Sequence, residues 1–372
     1  LLPSQPALSA PPSGKKTTIC VTGANGYIGL HTVSQLLLSG YAVRAALRST
    51  SEVKTKWLTK IASDLGASER LTFATIDLAD AGSMADAARG CDSLIHLASP
   101  FELGKTANPI KDILEPAVAG WTNAVAAADA LGLRRIVACG SVFGMVGSGS
   151  EKGWDHVYGS SDVNSFSTPG GCTYAYSKMQ SQEVAATMAS ARGVDLVTLN
   201  VGQVCGPALS PDQTNPSWDP IKNLAVPPPG GAVLSCTAPG FVDVRDAAAA
   251  HVAALDLPAA AAPRRYPVVA RKKSPTYQEI EAILAEVLPE RNLPARVDVL
   301  PPSTQKLITK GIGLGNKSLG ELLSGVSVPP GETLLVDVEP MLRYLVPVPR
   351  EIKTTLRDWV DNQKGYGHTV SS

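Results

Sequence analysis

The chain has 372 residues, with 33 Lys and Arg against 33 Asp and Glu, 44% hydrophobic residues and 5% aromatics. Zero net charge without a polybasic run excludes nucleic acid or an anionic membrane surface as the main partner, and no apolar run is long enough to span a bilayer. The length suits one large domain or two intimate lobes around a sizeable core.

Residues 1–16 form a Pro-rich stretch without an initiating Met, expected to be a flexible leader. It fits the stub of a removed transit peptide or a cloning remnant, and it lacks the apolar core of a secretory signal. Ile19–Val21 then reads as a short buried strand, Thr22–Gly29 as a tight turn, and Leu30, Val33, Leu36 and Leu37 as the buried face of a helix stopped by Gly40. Gly23, Gly26 and Gly29 have the spacing of a dinucleotide loop. The first is expected to turn the chain, the second to let a pyrophosphate approach the backbone, and the third to let helix and strand pack closely. The helix start offers unpaired N–H groups and a favourable dipole to an anion. Asn25, Tyr27 and Ile28 complete the candidate loop.

Strand and helix patterns alternate from there. Tyr41–Arg48 reads as a strand, about 52–65 as a charged helix, 70–76 as a strand ending at Asp77 and Leu78, and 83–88 as a short helix. A strand over 92–98 closes at Ser99-Pro100, and a long helix follows over about 109–130. Its Pro116 is expected to kink it or to mark a first turn. Arg135–Gly140 is the fifth strand, ending at Ser141. This alternation predicts an α/β fold, a doubly wound parallel sheet with right-handed crossovers. Residues 142–172, rich in Gly, Ser and Asp, are expected to be a long surface loop over the carboxyl edge, where such folds bind ligands. A helix over about 173–191 and a strand over 195–200 follow. Beyond Val201 the pattern loosens, with clear helices only near 244–255, 277–287 and 351–362. The expected domains are a nucleotide-binding Rossmann domain over 17–200 and a smaller, mainly substrate-binding lobe over 201–372, with about 241–270 returning to the first.

Dinucleotide enzymes that use NAD place an acid at the end of strand two. Here that place holds Arg48, followed by Ser49, Thr50 and Ser51. An Arg there pairs with a 2′-phosphate and stacks on adenine, so the expected cofactor is NADP(H), with Lys54 assisting. Asp77 and Leu78 end strand three, where a carboxylate reaches the adenine amine; Asp77 also suits a helix N-cap. Leu97, Ala98 and Ser99 end strand four, beside the inner ribose.

Tyr174 and Lys178 are four apart at the start of a helical pattern and share a face. Tyr176 has Gln180 at that spacing and does not qualify. A phenol titrates about three units above neutrality in water, and a nearby ammonium favours the phenolate. Such a pair trades a proton with a carbonyl or alcohol, and Ser141, on the same sheet edge, is placed to hold the substrate oxygen. Lys178 is also expected to bind ribose hydroxyls. The cysteines 20, 91, 139, 172, 205 and 236 include no C-x-x-C pair, and with the five scattered histidines they form no metal pattern. Buried free thiols in a reducing compartment are expected.

The Thr22-Gly23-x-x-Gly26-x-x-Gly29 run, the strand-end Ser141 and Tyr174-x-x-x-Lys178 resemble the extended short-chain dehydrogenase/reductase family. More narrowly, the chain is similar to its dihydroflavonol reductase, cinnamoyl-CoA reductase and carbonyl (methylglyoxal) reductase branch. The local signatures are Val43–Arg48, Leu94–Phe101 and Phe241–Asp246. The resemblance covers about 17–255 and implies a Rossmann fold, NADP(H), and Ser141, Tyr174 and Lys178 as catalytic residues. Ala119 stands where the family has Asn, and Asn200-Val201 where it has Asn-Pro. The expected activity is NADPH-dependent reduction of an aldehyde or ketone, dihydroflavonol-, cinnamoyl- or small-carbonyl-like. The alternatives are a cofactor-binding but non-catalytic subunit of a larger assembly, and a sugar-nucleotide epimerase or dehydratase. A monomer or homodimer is expected, cytoplasmic or, after transit-peptide removal, in a plastid or mitochondrion.

Overall fold

The computed structural model describes residues 17–100, 108–147, 151–225, 232–233, 239–258, 264–291, 293, 298–299, 329 and 331–368. The expected leader and Cys236 lie outside the described residues.

The central sheet takes β1 (Thr18–Thr22), β2 (Ala42–Leu47), β3 (Leu71–Thr75), β4 (Ser93–His96) and β5 (Ile136–Ser141), which alternate with helices as the sequence pattern requires. The helices are α1 (Tyr27–Leu38), α2 (Glu52–Asp64), α3 (Ala81–Ala88), α4 (Glu115–Leu131) and α5 (Thr173–Arg192). Then come β7 (Leu196–Val201), α6 (Asp219–Leu224), α7 (Val244–Ala253), β11 (Arg265–Val268) and α8 (Tyr277–Val287), with two C-terminal helices at Glu339–Tyr344 and Ile352–Gly365. The seven strands run in the order β11-β7-β5-β4-β1-β2-β3, all parallel. Side chains alternate across the sheet. Ile19, Val21, Ile95, Val137 and Val197 share a core with α1 and α7, while Cys20, Leu94, Ile136 and Ala138 share one with α3, α4 and α5. Apolar burial on both faces explains why these strands read as continuous hydrophobic runs.

Three short parallel pairs stand apart: β8 (Gln203–Cys205) with β10 (Phe241–Asp243), β6 (Val157–Tyr158) with β13 (Leu335–Val336), and β9 (Ala232–Val233) with β12 (Asp298–Val299). The edge strand β11 is missing from the sequence expectation because Pro267 interrupts its pattern; an edge tolerates a residue that cannot donate to a ladder. A π-helical turn, Ile110–Leu114, runs into α4, and Pro116 occupies its first turn. The stretch over 142–172, expected to be a long surface loop, is pinned by its own polar groups. Asn164, 1% exposed, donates to the Phe143 carbonyl and the Ser167 hydroxyl, while its own side-chain oxygen accepts from the Phe166 and Ser167 amides.

The Phe241–Asp246 signature is a structural joint. Asp243, fully buried, caps α7 and accepts from the Arg245 guanidinium and the Thr355 hydroxyl, while Arg245 also meets Asp358 at 2.7 Å. Asp246 takes the Arg350 amide at 2.6 Å and its guanidinium. Five charged groups paired this way fasten the last helix to α7.

Candidate active site

Parallel pairing brings the ends of β1, β2, β3, β4 and β5 to one edge, so every candidate residue from Gly23 to Ser141 lies on that side. Gly23 has φ +66°, and a Cβ there would sit 2.9 Å from the Ala98 amide nitrogen. Gly29 is helical, but its Cβ would meet the Gly23 and Ala24 carbonyl oxygens at 2.2 and 2.6 Å. The third glycine therefore admits the loop's own backbone rather than the strand. Gly26 is the N-cap of α1, with extended φ and ψ, no capping side chain and no acid in the turn that follows. A Cβ there would have one neighbour, the Gly23 oxygen at 3.1 Å. The helix start is thus open to an anion, with backbone N–H groups to receive it.

The other candidate residues are distributed as follows. Asn25 is exposed, and its amide donates to the Lys54 carbonyl at 3.3 Å. Tyr27 turns into the core, its hydroxyl on the Gly206 carbonyl at 2.6 Å and its ring edge-on to Trp218, so only its backbone is left to a ligand at the loop. Ile28 is half-buried. Arg48 and Lys54 are exposed, Arg48 immediately after β2. Asp77 is exposed and its carboxylate takes the Ala79 amide at 2.9 Å; Asp80, not Asp77, caps α3. Leu78 is held by its carbonyl, which accepts from Asn123 at 2.8 Å. Leu97, Ala98 and Ser99 are half-buried beyond β4. Such a set suits a phosphorylated dinucleotide: an uncapped helix start, a glycine cradle with room for an oxyanion, and a free-standing guanidinium after β2.

Ser141, Tyr174 and Lys178 come together. The Ser141 hydroxyl accepts from the Phe143 amide at 3.3 Å, which fixes the turn after β5, and it hydrogen-bonds the Tyr174 phenol. Lys178 is buried, with its ammonium 5.2 Å from the centre of the Tyr174 ring and donating to the Ser99 hydroxyl at 2.7 Å. Phe143 packs edge-on to Tyr174, with ring centroids 6.3 Å apart.

The electrostatics differ from the expectation that Lys178 lowers the phenol. Burial dominates and raises the Tyr174 pKa, Cys139 and Cys172 reinforce it, and the Ser141 hydrogen bond only offsets it in part. Burial also pushes Lys178 down to about 8. Both shifts have one physical cause, the cost of a charge away from water; the phenol stays protonated, while Lys178, at about 8, remains mostly charged near neutrality. The buried His96 is held neutral, down to about 3, by desolvation and then by Lys178.

The pairing of Thr22 with His96 escaped the sequence reading. They are paired neighbours on β1 and β4, joined by a 2.9 Å hydrogen bond, and the Thr22 hydroxyl also accepts from the Ala98 amide at 3.2 Å. That bond shapes the turn that carries Ser99. Their residue types carry no signal without the strand register. Val201 sits in the ladder between Ser141 and Val268 and retains an N–H. Among the described residues no helix is long and apolar enough to cross a membrane, and no group of three or more His, Cys, Asp and Glu is placed to hold a metal ion. Cys20, Cys91, Cys139, Cys172 and Cys205 are free thiols.

Comparison with known proteins gives the same assignment. Residues 19–269 match the NAD dependent epimerase/dehydratase family. Cinnamoyl-CoA reductase 1 of Petunia hybrida is 33% identical over 309 residues, covering 80% of this chain and 86% of that protein. Dihydroflavonol 4-reductase of Zea mays is 30% identical over 325 residues, covering 83% and 87%. Among solved structures, yeast methylglyoxal/isovaleraldehyde reductase Gre2 complexed with NADPH superposes with a TM-score of 0.74 at 20% identity, covering 95% of this chain and all of that one (100%). With a family match across most of the chain, the glycine loop at the open helix start and the Ser141, Tyr174 and Lys178 cluster on the same sheet edge, this chain belongs to the NAD dependent epimerase/dehydratase family, of the extended short-chain dehydrogenase/reductase type.

Proposed function

We propose that the protein is an NADP(H)-dependent reductase that converts the carbonyl of an aldehyde or ketone into an alcohol, with a dihydroflavonol-, cinnamoyl- or small-carbonyl-like substrate. The observation that carries this reading is the convergence of Ser141, Tyr174 and Lys178 beside the loop that ends in Ser99. The reductase names of the similar proteins support it, as does the NADPH bound by the Gre2 structure. Arg48 supports the phosphorylated cofactor, with Gly23, Gly26 and Gly29 cradling the pyrophosphate.

When bound, NADP(H) supplies the hydride. The chain's own residues manage the proton. Tyr174, kept protonated through neutral pH by burial, donates to the carbonyl oxygen. Ser141 hydrogen-bonds that oxygen as negative charge grows on it. Lys178 places a positive charge beside the ring, which stabilises the phenolate left behind. Its bond to Ser99 fixes the ammonium's position.

The test is NADPH oxidation against a panel of aldehydes and ketones, with Tyr174→Phe and Tyr176→Phe as the paired variants. Loss of a general acid costs about 10²–10⁴-fold in turnover, so Tyr174→Phe should fall that far while still binding NADPH, and Tyr176→Phe should stay near the unsubstituted rate. Turnover untouched by Tyr174→Phe would refute the assignment, and reduction of no carbonyl compound would favour the non-catalytic subunit.

A further inference from the structure

The chain leaving β8 reaches back across the nucleotide side of the molecule. Its first residues are fixed in the interior. The Gly206 carbonyl takes the Tyr27 hydroxyl at 2.6 Å, and the Pro207 carbonyl takes the His31 ring N–H at 2.9 Å. Ala208 exchanges two hydrogen bonds with the Asn362 side chain, 2.8 and 3.0 Å, on the last helix. A turn then forms, in which Ser210 accepts from the Asp212 and Gln213 amides and Leu209 donates to the Gln213 side chain at 3.1 Å. The turn aims two neighbouring side chains at two different elements. Gln213 donates to the Gly26 carbonyl at 3.1 Å, on the N-cap of α1. Asp212 accepts from the Trp57 indole at 2.7 Å and pairs with Lys56 at 2.6 Å, both on α2. Lys56 in turn lies 5.1 Å from the centre of the Trp57 ring.

These elements are the two walls of the candidate nucleotide site. The glycine loop receives the pyrophosphate, and Arg48, which receives the 2′-phosphate, leads directly into α2. We propose that residues 206–213 are a strap that ties these walls together, with Asp212 and Gln213 as positioning residues that slow nucleotide release. The inference rests on the NADP(H) reading. Parting α2 from the glycine loop to free a nucleotide requires the two Asp212 bonds to break together, while the Gln213 bond holds the turn that aims Asp212 on the Gly26 side. Gly206 and Pro207 hold that end of the strap to α1 through Tyr27 and His31, so the strap stays with the glycine-loop wall and Asp212 is its grip on α2. Because Ala208 also holds Asn362 and Tyr366, the strap links the nucleotide side to the C-terminal helix.

The experiment measures NADPH release from the full chain by stopped-flow fluorescence, with displacement by excess NADP⁺. An exposed ion pair combined with a charge-assisted hydrogen bond slows release by about three- to tenfold, which Asp212→Ala should abolish. Asp212→Asn keeps an acceptor for Trp57 and loses the ion pair, so it should fall between, and Asp212→Glu should restore slow release. Gln213→Ala should act in the same direction. The melting temperature should hold steady in the Asp212 variants, whose side chain is exposed, and should fall modestly in Gln213→Ala, whose buried side chain also accepts from the Leu209 amide. Hydrogen exchange in the protein without nucleotide gives a second readout, with the amides of residues 24–30 and 52–58 exchanging faster in Asp212→Ala. Unchanged release in both alanine variants would overturn the strap while leaving the cofactor reading intact. Failure of the unsubstituted protein to bind NADPH would overturn the cofactor reading, and hydrogen exchange unaltered by Asp212→Ala would then dispose of the strap independently.

Discussion

Gly26 and Gly29 should respond to alanine in different ways. Gly29 lies in the first turn of α1 with helical backbone, so by conformational preference alone alanine is favoured there by about 1 kcal/mol. The structure reverses that sign. The new methyl would lie 2.2 Å from the Gly23 oxygen and 2.6 Å from the Ala24 oxygen, both backbone atoms of a loop that packs against Ala98. Ordinary contact begins near 3.4 Å, so the loop or the helix start must move by about an ångström. Overpacking of this kind costs about 1–3 kcal/mol, and misplacing a binding loop by about 1 Å costs up to about a hundredfold. Gly29→Ala should therefore lower both the urea midpoint and the affinity for NADPH. Gly26 has φ −73° and ψ 176°, which any residue adopts, and a methyl there would meet only the Gly23 oxygen at 3.1 Å. Gly26→Ala should fold with almost full stability yet bind NADPH weakly, because the methyl occupies the cradle. Denaturant titration and isothermal calorimetry on the two variants separate the effects. A Gly26→Ala protein that binds NADPH as tightly as the unsubstituted one would refute the placement of the pyrophosphate.

Arg48→Ala should erase most of the preference for NADPH over NADH while sparing NADH use; a charge-assisted bidentate pair is worth about 1.5–3 kcal/mol, and equal affinities before substitution would sink the argument. Acid stability should follow the buried histidines: desolvation holds His31 and His251 at about 4 and His96 at about 3, against about 6.5 in the unfolded chain. With folded values depressed, the unfolded state binds more protons between those limits, so stability is full above about 6.5 and falls as pH drops toward 4, which urea midpoints across that range will check. A flat response would contradict the burial. Asp243→Ala leaves Arg245 with Asp358 alone and strands the Thr355 hydroxyl, and breaking a buried pair costs about 3–5 kcal/mol, so the melting temperature should drop steeply and the last helix should become protease-sensitive.

The alternation of strand and helix up to residue 200 was legible in the sequence because each element repeats a local period: apolar runs for buried strands, 3.6-residue spacing for helices, glycine at the turns. The spacing of Gly23, Gly26 and Gly29, and of Tyr174 and Lys178, was legible for the same reason, since each motif lies within one turn or one helix. Other features depend on which distant segments pair, and only the tertiary structure decides them. Thr22 meets His96 because β1 and β4 are in register, and Ser99 meets Lys178 across 79 positions of chain. Gln213 meets Gly26 across 187 positions. The seventh strand, broken by Pro267, acquires its identity from β7 beside it. The pKa of Tyr174 teaches the same lesson: four-residue spacing to a lysine foretells attraction, but desolvation is set by everything packed around the phenol, and here it is the larger effect. Local periodicity is written in the order of residues, whereas burial and register are properties of the assembled sheet.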